Sequence, residues 1–299
     1  MKVRKVTHTV KGHRAQDGAG VSLVRVLGSE TVHDFDPFLM LDSFDSDNRA
    51  DFVKGFPTHP HRGMETVSFI AKGRLTHRDN AGGRGTIEDG EAQWLTAGSG
   101  AFHSEMPDGE RLLGLQLWLN LPRASKMTAP PAYHEIKKSE IQEIPLQGGT
   151  LRLITGTYRE WEDTESLPAT SACPKIYKGW QGKYLPLDYY DIHLHPGASL
   201  KLGVLEARSV MVFTLQGEAV VCGRRIGEKT AARLDDGDTV TIEAGSEGCE
   251  IMFMSSLPTG EPIAWAGPIV MNTQEELRTA FRELQDGTFL KAPTAYSGR

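Results

Sequence analysis

Turn-forming residues punctuate this chain about every 8–12 residues, and that rhythm limits its fold more than any other feature. Ala71-Lys72-Gly73, the Gly-rich stretch Asn80–Gly85, Glu88-Asp89-Gly90 and Ala97–Gly100 each interrupt a short apolar or alternating run. Runs that short are strands rather than helices. The first half is predicted to form strands near residues 20–27, 64–71, 74–79, 91–95, 101–105 and 112–119. The second half is predicted to form them near 150–156, 189–194, 199–205, 210–215, 218–221, 231–235, 238–243 and 249–254. Many short strands with regular turns indicate an all-β sandwich or barrel.

The chain has 299 residues, and at roughly 150 residues per domain that suggests two domains. The stretch Pro122 to Pro145 breaks the β rhythm with Pro130-Pro131 and Lys137-Lys138, and reads as the linker. It divides the chain into domains 1–134 and 135–299. The two halves share an order of events. Ala71-Lys72-Gly73-Arg74 is echoed by Leu215-Gln216-Gly217-Glu218, and Ile87–Glu91 by Leu234–Asp238. Duplication of one β unit explains the echo. The segment 157–186, with Pro168, Pro174 and Pro186, reads as a surface excursion, with a lid over a pocket as the alternative. Near the end, Asn272–Gln285 reads as a helix. Asn272 or Thr273 can cap it, Glu275 and Glu276 sit in its first turn, and Gly287 follows. Leu277, Phe281 and Leu284 form one apolar stripe for docking on a barrel wall.

Several function classes are disfavoured. Formal net charge is −6 and the basic clusters are small, so no stripe for gripping phosphates exists and direct nucleic-acid binding is not expected. No apolar run approaches the ~18 residues of a membrane span, and Met1–His8 lacks the apolar core of a secretion signal. Three scattered cysteines, Cys173, Cys222 and Cys249, make neither a disulfide framework nor a cysteine zinc site, and a reducing cytoplasm fits best.

Chemistry concentrates in the histidines. His59-Pro60-His61 and His103-Ser104-Glu105 are pairs at i and i+2, and on a strand such residues point to the same face. Two such strands side by side place His59, His61, His103 and Glu105 around one point. Three imidazoles and a carboxylate suit a divalent transition metal. Pro57 and Pro60 stiffen the first pair, and a Gly turn precedes the second. Glu65 shares the parity of His61 unless Gly63 bulges, so Glu65 and Glu105 both remain candidates for the fourth ligand. His77, beside Arg78 and Asp79 near a turn, reads as a surface residue. His193-Leu194-His195 repeats the spacing, but no later histidine follows it and Ser199 stands where a matching glutamate would be. A second metal site is not expected there. His8, His13, His33 and His134 show no partner pattern. Leu113–Asn120 alternates, and Gln116, Trp118 and Asn120 read as a solvated face. The alternative is that this face borders the metal pocket and stacks on a planar ligand.

These motifs resemble one family. His59–Phe69, Trp94–Pro107, Gly114–Pro122 and the closing Gly267–Glu276 are similar to the corresponding stretches of pirins, bicupins of the cupin superfamily. The resemblance spans nearly the whole chain. It implies a bicupin of two antiparallel β-sandwich barrels with a C-terminal helix, and a single metal in the N-terminal barrel. It also implies ligands at His59, His61, His103 and Glu105, with Fe(II) as the metal, although such sites accept other divalent ions. The activity implied is quercetin 2,3-dioxygenase-like ring cleavage of a flavonol or similar planar aromatic, with Glu105 as general base. The alternative implied is a metal-dependent regulatory protein that binds a transcription factor or a metabolic enzyme without turnover.

Overall fold

The computed structural model describes residues 1–160 and 175–291. The expected all-β class holds. The described chain packs as two compact units, one of Met1–Lys11 with Ser139–Leu257, the other of Gly12–Lys138 with the residues from Pro258 on.

In the second of these, two long strands organise everything else. Met64–Asp79 and Ala101–Asn120 pair antiparallel, from Met64 opposite Asn120 to Asp79 opposite His103. The sequence rhythm divides each of them at a glycine, but the structure keeps each continuous. At Gly73 the ladder slips register instead of turning. Its φ is +104°, and a Cβ would meet the Arg111 carbonyl oxygen at 2.4 Å, so glycine is required for this bend. The bulge re-aims the strand while preserving its pairing. The first half of Met64–Asp79 therefore pairs with Glu91–Thr96 and the second half with Arg84–Glu88. Likewise Ala101–Asn120 pairs first with Phe56–His61 and then with Phe38–Ser46. The wrapped sheet encloses an apolar cluster that includes Phe44, Phe52, Ile70, Leu75, Ile87 and Leu112.

The other unit repeats this connectivity strand for strand. Ser209–Val221 and Thr239–Ser256 are its long pair, with register slips flanking Gly217. Ser199–Gly203 pairs with Thr239–Ser256 as Phe56–His61 pairs with Ala101–Asn120, and Arg224–Ile226 matches Arg84–Glu88. The duplication suspected from the turn chemistry is visible as one shared strand order.

The chain ends are exchanged relative to a single cut after residue 134. Val6–Lys11 pairs with Thr230–Leu234, the place that Ala132–Ile136 takes beside Glu91–Thr96. The chain does pass from one unit to the other within Pro122 to Pro145, at Lys138–Ser139, but the stretch is structured. It holds a short helix, Arg123–Lys126, and two edge strands, Ala132–Ile136 and Gln142–Leu146. Pro145 is tolerated because Gln142–Leu146 lies at the end of its sheet. The excursion expected over 157–186 includes strands Thr157–Arg159 and Ile176–Lys178, while Pro168 and Pro174 lie outside the described residues.

The terminal helix is Gln274–Gln285, capped by Thr273 in a capping box with Glu276. Leu277 and Ala280 are buried, with Phe281 and Leu284 packed beside them against Ile269, Met271 and Phe289. This helix belongs to the same unit as Gly12–Lys138. Buried Arg62 holds it there: its Nε donates to the Ser99 carbonyl at 2.8 Å and its Nη1 to Glu283 at 2.7 Å. Its Nη2 donates to the Phe289 carbonyl, and the guanidinium carbon lies 4.0 Å from the centre of the Phe289 ring.

Candidate metal centre

His59 and His61 lie on the Phe56–His61 strand, and His103 sits directly opposite His59 on Ala101–Asn120. The i, i+2 spacing turns both members of the first pair to one face, and cross-strand pairing supplies the third ring. The ligand atoms of the three histidines fall within 4.8 Å of one another. The Nε2 atoms of His59 and His61 are 3.0 Å apart. Ring centroids are 4.4 Å apart for His59–His103 and 4.9 Å for His61–His103.

The outer nitrogens fix the protons. His59 Nδ1 donates to the Pro57 carbonyl at 2.8 Å, and His61 Nδ1 to the Pro268 carbonyl at 3.2 Å. A neutral imidazole carries one N–H, so the facing Nε2 atoms present lone pairs. Burial, aided by the neighbouring His59, pushes His61 down to about 3, and burial holds His103 well below its usual value. His61 and His103 are therefore neutral at physiological pH, the form that binds metals. His103 Nε2 is buried without a hydrogen-bond partner. Three imidazoles thus converge, and a divalent cation fits that donor set.

Glu105, two residues along from His103, forms a second ligand-competent group with His77 and His103. Its Oε1 accepts from Gln93 Nε2 at 2.6 Å and Ser68 Oγ at 3.1 Å, and its Oε2 accepts from Gln116 Nε2 at 2.6 Å. Glu65 goes elsewhere. Gly63, at φ +81°, lies against the Val270 carbonyl where a Cβ would come within 1.8 Å. The chain breaks its alternation here, and Glu65 takes the opposite strand face from Ser68. Its Oε1 accepts from Trp94 Nε1 at 2.9 Å and Thr96 Oγ1 at 2.6 Å, and burial raises its carboxyl to about 7.

Two expectations of surface placement are overturned. His77 is fully buried, with its Nδ1 3.4 Å from His103 Nδ1 and its Nε2 2.9 Å from Asp79 Oδ2. It stacks on Tyr133, centroids 4.1 Å apart and planes at 5°. Adjacent charged residues suggested solvent, but here Asp79 turns inward with His77 on the same strand parity. The Gln116, Trp118 and Asn120 face is likewise buried. Gln116 holds Glu105, Asn120 accepts from buried Lys126 Nζ at 2.6 Å, and Trp118 meets His61 edge-on at 5.0 Å. Residues 112–120 of Ala101–Asn120 are buried on both faces, so the alternation there separates two buried sides rather than inside from outside.

A pocket of 520 Å³ opens onto His59 and His61, walled by Met40, Phe56, Trp118 and Trp265. Arg25 also lines it, and its guanidinium makes a two-point ion pair with Asp42 at 3.0 and 2.7 Å. Trp118 and Trp265 lie 5.7 Å apart at a tilt of 41°.

In the other unit, the cross-strand pairs that correspond to His59–His103 and His77–Glu105 are Leu202–Val240 and Val221–Ile242. Leu202, Val221, Val240 and Ile242 all belong to its apolar core. His193 lies on a different strand, Leu187–Leu194, and His195 is exposed beyond its end. Sequence reading missed a group there: Asp191, His193 and Glu250 bring ligand atoms within 4.8 Å. Arg152 Nη1 lies 3.1 Å from Asp191 Oδ2 and supplies positive charge to the cluster.

Comparison with known proteins agrees with the geometry. Residues 20–119 match the family model described as Pirin, and residues 189–290 the model described as Pirin C-terminal cupin domain. A pirin-like protein of Caulobacter vibrioides is 40% identical over 97% of this chain and 100% of its own length. Human pirin is 34% identical over 97% of this chain and 96% of its own. The crystal structure of a quercetin 2,3-dioxygenase from Acinetobacter baumannii is 32% identical with a TM-score of 0.82, covering 96% of this chain and 98% of that one.

Proposed function

This chain belongs to the pirin family, and on that premise we propose that it is a mononuclear iron dioxygenase of the quercetin 2,3-dioxygenase type. Its substrate would be a flavonol or a similar enolisable planar aromatic. The observation that carries the reading is the convergence of three imidazoles, with the Nε2 atoms of His59 and His61 3.0 Å apart at the wall of a pocket lined by Phe56, Trp118 and Trp265. His59, His61 and His103 hold the metal, with Glu105 as fourth ligand. When bound, Fe(II) would acidify the substrate hydroxyl and supply electrons to dioxygen.

The protein supplies position and proton transfer. Trp118 and Trp265 offer an aromatic surface on which a planar ring can stack. Gln93, Gln116 and Ser68 hold the Glu105 carboxylate in place. Held there, Glu105 would take the proton of the substrate hydroxyl as general base. The apolar walls of Met40 and Phe56 keep water from the reacting face. A reducing cytoplasm, which we infer as the compartment, would preserve Fe(II) and the free thiols of Cys222 and Cys249. No helix of the described residues is long and apolar enough to cross a membrane.

The test is anaerobic purification, loading with Fe(II), and addition of quercetin with oxygen. Loss of the flavonol absorbance with release of carbon monoxide supports the reading. A loaded protein that leaves quercetin and related flavonols intact, yet captures a protein partner in only one iron oxidation state, would replace it with a regulatory role.

A further inference from the structure

Each metal-facing histidine needs an acceptor for its outer N–H. Pro57 and Pro268 provide carbonyls for His59 and His61. For His103 the neighbour is another imidazole, His77, with the two Nδ1 atoms 3.4 Å apart. One of these nitrogens must donate and the other accept. Asp79 decides which. Its Oδ2 lies 2.9 Å from His77 Nε2, and an ionised carboxylate only accepts. A singly protonated imidazole at position 77 therefore carries its N–H on Nε2, toward Asp79, and leaves Nδ1 as a lone pair facing the His103 Nδ1–H. Asp79 is itself fixed, because its Oδ1 accepts from the Ala81 and Gly83 amides at 2.8 Å each. The His77 ring is clamped by its stack on Tyr133.

We propose that His77 is a positioning residue, the middle of an Asp79–His77–His103 relay that fixes the tautomer and orientation of His103 and directs its Nε2 at the metal. The inference rests on the metal reading above and adds to it two residues outside the ligand set. Outer partners of this kind raise ligand basicity and restrict ring rotation. The relay spans 26 residues of sequence between His77 and His103, and Asp79 opposite His103 in the ladder closes it.

The informative variant is Asp79→Asn. The Ala81 and Gly83 amides require an oxygen, so the Asn side chain keeps its oxygen toward them and turns its NH2 to His77. His77 Nε2 must then accept, its proton moves to Nδ1, and two N–H groups oppose each other at His103. In 15N-histidine-labelled, metal-free protein, two-bond 15N–1H correlation spectra should show His77 as the Nε2–H tautomer in the wild type and as Nδ1–H in Asp79→Asn. Co(II) affinity, read by chelator competition, should fall about 10–100-fold in Asp79→Asn, with shifted visible d–d bands. His77→Gln, which retains an acceptor oxygen for His103, should bind Co(II) more tightly than His77→Leu. A merely structural role would lower metal-free thermal stability and leave the tautomers and the d–d bands unmoved; that pattern overturns the proposal. An Nδ1–H tautomer of His77 in the wild type also overturns it. If wild-type protein takes up no Co(II) while His77 shows the expected tautomer, the metal reading has failed, and the positioning role falls with it.

Discussion

Leu202 holds, in the Ser139–Leu257 unit, the register that His59 holds in its counterpart. His59 lies opposite His103, and Leu202 lies opposite Val240, with the pairs His77–Glu105 and Val221–Ile242 two residues further along the long strands. One duplicated scaffold therefore carries a polar floor in one copy and an apolar one in the other. The same sheet geometry serves either purpose, because strand order and register rest on backbone pairing and not on which side chains face inward.

This contrast predicts where metal goes. His61→Leu, which gives the floor an apolar side chain as in the other unit, should abolish metal uptake as read by elemental analysis after Co(II) or Fe(II) loading and desalting. His193→Ala should keep it, since His193 groups with Asp191 and Glu250 and not with His59, His61 and His103. Equal metal loss in both variants would refute a single centre built on His59, His61 and His103.

Trp118 separates ring stacking from hydrogen bonding in the pocket. Its Nε1 is buried without a hydrogen-bond partner in a residue that lines the pocket, and we propose it as a donor for a ligand oxygen. Trp118→Phe keeps an aromatic wall and loses the donor, and should weaken flavonol binding by up to about tenfold. Trp118→Ala loses the stacking surface too, worth a further ~0.5–1.5 kcal/mol. Both should retain metal. Titration of quercetin by its absorbance shift, with metal content in parallel, checks this; equal affinities across all three proteins would remove Trp118 from the site.

Glu65 gives the fold a pH dependence. Its buried carboxyl is raised from 4.5 to about 7. Between those pH values the folded chain binds a proton that the unfolded chain has released. The stabilisation is complete below pH 4.5 and is lost as pH rises through 7. Glu65→Gln has no such proton, so urea midpoints of the metal-free variant should vary less than wild type between pH 5 and pH 8. An unchanged slope would show that Glu65 is ionised throughout.

Arg62 links the metal strand to the C-terminal segment. Replacing it with Met leaves the Ser99 and Phe289 carbonyls without their donor, and Glu283 with only its 2.7 Å ion pair to Lys291. A loss of about 3 kcal/mol is expected, the lower end for breaking a buried pair because Glu283 is partly solvated. Pro268, which orients His61, belongs to the segment that Arg62 anchors. Arg62→Met should therefore also speed metal release and expose the segment after Pro258 to protease. Wild-type proteolysis and release rates in the variant would contradict this coupling.

Local chemistry was legible in the sequence. Turn residues at short intervals dictated strands, Thr273 with Glu276 dictated a helix start, and the i, i+2 histidines dictated two inward-facing ligand pairs, because each depends only on backbone period and nearby side chains. The repeated Gly-centred turns also revealed the duplication. Long-range pairing decided the rest. Gly73 and Gly217 read as turns, but cross-strand partners on both sides kept the ladders continuous and made them bulges. Gly63 reversed the face of Glu65 because the Val270 carbonyl presses on it. His77 became part of the centre only when Met64–Asp79 folded alongside Ala101–Asn120. Val6–Lys11 and the terminal helix joined the sheets that offered them an open edge or an apolar wall, regardless of chain order. A period of two tells which residues share a face. Only the closed sheet tells which faces meet, since that choice is made by partners tens or hundreds of residues away.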